Sequence, residues 1–143
     1  MYEAFYGFDE KPFNLTPDPK FLFLSAKHGE AFAHLEFGLK QRGGFAVISG
    51  DVGTGKTTLC RYFLERLDED VESAFILYPA VSAVELLRTV CEDLGIKERG
   101  WTAKEWVDIL HRYLLEARSQ GKNVVLVIDE AQNLSTKVLE QIR

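Results

Sequence analysis

Residues 45–59, FAVISGDVGTGKTTL, join a short apolar run to a glycine-rich bend and then to the opening of a helix. Gly50, Gly55, Lys56 and Thr57 occupy the fixed positions of the pattern G-x-x-x-x-G-K-[ST], in the strand, loop and helix order that gives the pattern its meaning. A polyphosphate can be wrapped by successive backbone N–H groups only where no Cβ blocks the approach, so Gly50, Gly53 and Gly55 leave the main chain bare. The anion then rests on the N-terminus of a helix predicted to start near Lys56, where the helix dipole favours negative charge. Lys56 adds a point charge for the outer phosphates, and the Thr57 hydroxyl can ligate the Mg²⁺ that travels with them. The expected binding set is the continuous stretch Gly50, Asp51, Val52, Gly53, Thr54, Gly55, Lys56, Thr57 and Thr58, with the Asp51 side chain solvated rather than catalytic. At average residue usage such a pattern arises by chance in roughly one chain of this length in a few hundred, so it outweighs a fortuitous glycine turn.

A second stretch, residues 122–134, reads KNVVLVIDEAQNL, an aliphatic run that ends in two acids. Strands buried on both faces are continuous Val/Ile/Leu runs, and ligands bind beyond the carboxyl ends of such strands. Asp129 is therefore expected at the same sheet edge as the glycine-rich loop, holding Mg²⁺ directly or through water. An acid immediately after it, Glu130, can polarise a water for attack on a terminal phosphorus, which points to hydrolysis rather than binding alone. Gln132 and Asn133 are open between a contact to the γ-phosphate, a neighbour and water.

The 143 residues allow one domain at most, with a charged fraction of 27% and a hydrophobic fraction of 46% that fit a globular protein. A formal net charge of -5 argues against nucleic-acid binding driven by overall charge. The longest aliphatic run, Val124 to Ile128, is too short to span a bilayer, and no signal-peptide pattern opens the chain. Cys60 and Cys91 fall on apolar positions of predicted helices, so free thiols in a reducing compartment, the cytoplasm, are expected.

Elsewhere, residues 1–24 are dense in aromatics and prolines, and the sequence predicts an ordered, non-helical arm whose rings pack on the domain as a strap. Lys11 to Phe13 is a candidate seat for an adenine base. Ser25 caps a predicted helix to about Gln41; its His28 and His34 lack metal-ligand spacing and read as surface or packing residues. Leu59, Phe63 and Leu67 form the apolar stripe of the helix after the loop. Ala74 to Tyr78 reads as a second strand. Ser82 with Glu85 and Thr102 with Glu105 match the capping box and announce two helices, stopped at Gly95 and Gly121. Strand, helix, strand, helix pair, strand is the α/β pattern of a parallel sheet flanked by helices.

With both motifs in place, the chain resembles the AAA+ ATPases of the general secretion pathway protein A (ExeA-like) group. The opening block MYEAFYGFDEKPFNLTPDPKFLFLS, His28 and Ala33-His34-Leu35 are similar to that group's N-terminal signature, and GDVGTGKTTLCR and VIDEAQNL to its two nucleotide motifs. The resemblance implies a P-loop NTPase fold of AAA+ type, with residues 1–42 as N-terminal arm and helix and residues 43–143 as the first part of the nucleotide-binding core. It implies ATP and Mg²⁺ as cofactors, with Lys56 and Thr57 binding them, Asp129 supporting the metal and Glu130 activating water. It further implies a homo-oligomer that serves a cell-envelope secretion or export system and works from the cytoplasm or the inner membrane. Members of the group continue past the position of Arg143, so the sheet is expected to be truncated after the Walker B strand. The resemblance also implies a strand inserted between those of the two motifs. Without it, an oligomeric, strand-swapped or otherwise non-native arrangement is expected at that gap.

The same residues bear on other classes. A DNA-transposition or DNA-loading ATPase shares the fold but sits poorly with the acidic balance. A small-molecule kinase would need an acceptor site, which is not identifiable. A GTPase is disfavoured because neither N-K-x-D nor D-x-x-G occurs.

Overall fold

Ser25 and Gly55 set where two helices of the N-terminal part begin. A computed structural model describes residues 2–9, 11, 18–79 and 82–142, which fall into two compact units, Met1–Arg66 and Leu67–Arg143.

The first unit carries α1 (Tyr2–Tyr6), a 3₁₀ turn (Pro19–Phe21), α2 (Ala26–Lys40) and α3 (Lys56–Leu64). Ser25, in extended geometry, accepts the His28 N–H on its hydroxyl and so starts α2. Leu59 and Phe63 are the buried residues of α3, and Phe32 on α2 meets the rings of Tyr62 and Phe63 edge-on at 5.4 and 6.1 Å.

The N-terminal arm departs from expectation in two ways. The arm is not wholly non-helical: the prolines that forbid a helix begin at Pro12, and Tyr2–Tyr6 precedes their reach and forms α1. Nor do its rings form a buried strap, since Phe5, Tyr6 and Phe8 are exposed and Phe23 is 83% exposed. Residues 12–17, including Phe13 of the candidate adenine seat, lie outside the described residues.

The apolar segment ahead of the loop, expected as a strand, is also not one. Residues 45–50 make no ladder, and Phe45 and Val47 are 72% and 88% exposed. A strand is stabilised by a neighbour that takes its N–H and C=O groups, and the described residues of this unit contain no other strand.

The second unit builds β1 (Val71–Ile76), α4 (Ala83–Asp93), α5 (Ala103–Ser119), β2 (Asn123–Ile128), a 3₁₀ turn (Ala131–Asn133) and α6 (Thr136–Ile142). β1 and β2 pair in parallel, from Val71 opposite Asn123 to Ile76 opposite Ile128. The strand expected from Ala74 thus starts three residues earlier, where Glu72 accepts from Tyr113 Oη and from Lys122 Nζ, the latter at 2.5 Å.

The N-terminus of α5 holds the full capping box, Thr102 and Glu105 each accepting from the other's backbone. At α4 only half of it forms: Ser82 accepts the Glu85 N–H, while the Glu85 carboxylate accepts from the Ser82 hydroxyl. Ala74 and Ile76 pack with Leu86 and Val90 of α4, Leu134 and Val138; Leu87 and Cys91 pack with Trp106 and Ile109 of α5. β2 shows Leu126 partly to solvent, so the run expected to be buried on both faces is covered less completely within this unit. At the outer edge of β1, the Asp93 carboxylate accepts the Phe75 N–H at 2.6 Å and occupies a group that a further strand would otherwise take.

Candidate functional site

The loop at residues 50–55 is folded onto itself. The Asp51 carbonyl accepts from Thr54 Oγ1 at 2.8 Å and from the Thr54 N–H at 3.4 Å. Lys56 Nζ donates to the carbonyls of Gly50 at 2.8 Å and Asp51 at 2.7 Å. A Cβ on Gly50 would come within 3.2 Å of Thr54 Oγ1, and Gly53 and Gly55 have φ of +79° and +87°, so all three positions suit glycine. Gly55 caps α3, whose first turn is Lys56, Thr57 and Thr58; Asp51 and Val52 are exposed. A close-wound glycine loop opening a helix, with an ammonium at its mouth, has the donors that a polyphosphate needs.

One residue here was not anticipated. His28, expected as a surface or packing residue, places Nε2 2.9 Å from the Thr54 carbonyl and Nδ1 2.7 Å from Ser25 Oγ. The hints in the sequence are its place three residues after the cap, which puts it on the first turn of α2, and its place in the N-terminal signature.

In the second unit the acids stand just past the last ladder pair. The Asp129 N–H still donates to the Ile76 carbonyl at 2.8 Å, which fixes Asp129 at the carboxyl end of the strands; its residue is only 9% exposed. Asp129 Oδ1 accepts the Glu130 N–H at 2.9 Å. Glu130 is left-handed, with φ 52° and ψ 35°, a conformation that costs a non-glycine residue about 1–2 kcal/mol. The turn presents its exposed carboxylate to Gln132 Nε2, which donates to it. Gln132, left open by the sequence, is bonded here to Glu130.

The structure thus brings Gly50, Asp51, Thr54, Gly55 and Lys56 together in one unit, and Asp129, Glu130 and Gln132 in the other. Among the described residues no three His, Cys, Asp or Glu side chains gather around a metal position. Among the described residues no helix is long and apolar enough to cross a membrane.

Residues 39–143 match the family model described as AAA domain, and the chain belongs to that family, whose members bind nucleotides. Over 146 aligned positions it is 42% identical to general secretion pathway protein A of Aeromonas hydrophila, a match that takes in 100% of this chain and 26% of that protein. It is also 33% identical over 91 residues to a putative ORC1-type DNA replication protein 1 of Thermoplasma acidophilum, covering 62% of this chain and 25% of that one. The chain spans about a quarter of the length of these curated relatives. No solved structure gives a significant match.

Proposed function

We propose that this chain binds ATP on residues 50–58 and hydrolyses it, within a cytoplasmic, homo-oligomeric ATPase that serves assembly of a cell-envelope secretion or export system. The backbone of the glycine loop and the first turn of α3 bind the phosphate oxygens, and Lys56 turns its ammonium from the Gly50 and Asp51 carbonyls to them. Thr57 and Asp129 would hold a Mg²⁺ ion, which would neutralise charge on the phosphate oxygens. Glu130 accepts a proton as a water oxygen bonds to the terminal phosphorus, the bridging P–O bond breaks, and ADP leaves with that bond's electron pair.

The observation that carries hydrolysis over binding is the corner at Asp129 and Glu130. Asp129 is buried and tied to the end of β1, while Glu130 is held in an unfavourable backbone conformation with its carboxylate turned outwards. Strain of this kind persists where the surroundings over-determine it, commonly at sites of chemistry. The secretion role rests on the likeness to general secretion pathway protein A.

Phosphate release without any added acceptor tests the proposal. The protein at its natural length should release phosphate from ATP with Mg²⁺, and Lys56→Ala and Asp129→Asn should each reduce the rate at least about a hundredfold. ADP formed only when a small-molecule acceptor is added, with the phosphoryl group on that acceptor and no phosphate released, would make it a kinase instead. A second reading, DNA loading, draws on the ORC1-type relative; salt-dependent affinity for duplex DNA would favour it.

A further inference from the structure

The ring of His28 is fixed at both nitrogens. A carbonyl oxygen can only accept, so the bond to Thr54 puts a proton on Nε2; in the neutral ring Nδ1 then accepts from the Ser25 hydroxyl. Ser25 Oγ in turn accepts the His28 N–H that caps α2, so the cap, the ring and the loop form one chain of bonds. The ring also sits against Gly55, where a Cβ would come within 3.3 Å of Nε2.

The peptide between Thr54 and Gly55 is what this contact controls. In a trans peptide the C=O and the following N–H point in opposite directions. With the Thr54 oxygen held by His28, the Gly55 N–H faces away from α2. Glycine at φ +87° opposes a flip of that peptide only weakly, since no Cβ stands in the way. A flip would exchange a donor for a carbonyl oxygen, which repels an anion.

We infer that His28 is a positioning residue for nucleotide binding: it locks the Thr54–Gly55 peptide with the Gly55 N–H turned to the phosphate. The inference rests on the reading of residues 50–58 as the phosphate site. It joins α2 to the loop across 26 residues of sequence.

Calorimetric titration of Mg–ATP into the protein at its natural length tests it, with wild type, His28→Ala, His28→Gln, His28→Asn and Lys56→Ala side by side. Glutamine carries an N–H at about the reach of Nε2, whereas asparagine reaches only as far as Nδ1. Loss of one hydrogen bond to the loop should weaken binding about five- to tenfold in His28→Ala and His28→Asn, with His28→Gln recovering most of it. Melting midpoints without nucleotide should separate Gln from Asn by no more than ~2 °C, so that the difference in affinity is not a difference in folding. Wild-type affinity in both His28→Ala and His28→Asn overturns the inference, as does equal weakening in Gln and Asn. If these variants bind as wild type while Lys56→Ala does not bind, the phosphate-site reading survives and only the role of His28 falls. No binding by the wild type would overturn both.

Discussion

Lys56 Nζ donates to the carbonyl oxygen of Gly50 at 2.8 Å, which ties the lysine of the glycine-rich loop to that loop's first residue. The ammonium also reaches Asp51 at 2.7 Å, so a compact group with three donors spans two main-chain oxygens. A guanidinium has the same charge but a planar, wider fork. Lys56→Arg is expected to lower Mg–ATP affinity at least about tenfold, measured by displacement of a fluorescent nucleotide. Affinity unchanged by arginine would mean that charge alone matters at this position.

Glu130 is held at φ 52°. Glycine adopts that conformation without steric cost, so Glu130→Gly should raise stability by about 1 kcal/mol while it ends turnover. A urea titration and a phosphate assay on the same preparation check both halves. A less stable Glu130→Gly would show that the side chain has a structural role instead.

How much of this the sequence revealed depends on the range of the interactions. Caps act over three residues, so Ser25, Ser82 and Thr102 each mark a helix start that the structure places within a residue. The ladder of β1 and β2 was foreseeable from aliphatic runs, but the start of β1 was not: Val71 to Ser73 is not an apolar run, and Glu72 is satisfied by Tyr113 and Lys122, far along the chain. Residues 45–50 have strand composition without a ladder, because pairing is a property of two segments. The G-x-x-x-x-G-K-T pattern and the acidic pair could be read directly. His28 could not, since a contact 26 residues away leaves no periodic trace.

Glu105 links the α5 cap to pH. Its carboxylate accepts the N–H groups of Trp101, at 2.6 Å, and Thr102, at 3.1 Å, and these bonds hold its pKa below the ordinary glutamate value. A pKa lowered on folding gives stability that is complete above the unfolded-state value, about 4.3, and is lost as the pH falls through the folded-state value. The difference in urea midpoint between wild type and Glu105→Gln should therefore be full at pH 6 and shrink as the pH falls below about 4.3. A difference that stays constant with pH would contradict this. Thr102→Ala removes the other half of the cap and should cost about 1 kcal/mol.

Cys91 is fully buried between α4 and α5, and burial, with the neighbouring charge of Glu92 second, pushes its thiol up to about 11. The thiolate is the reactive form, so Cys91 should resist thiol reagents at pH 8 until the protein unfolds. Peptide mapping after labelling with and without denaturant reads this out; rapid native labelling of Cys91 would place it outside the core.

The most direct test of the central claim, that one set of residues grasps ATP and another cuts it, is the fate of ATP on Glu130→Gln. This variant should bind Mg–ATP within about threefold of the wild-type affinity and yield it back intact, with turnover down at least about a hundredfold, because only the acceptor of the water's proton is lost. Recovery of ADP at the wild-type rate would contradict the account.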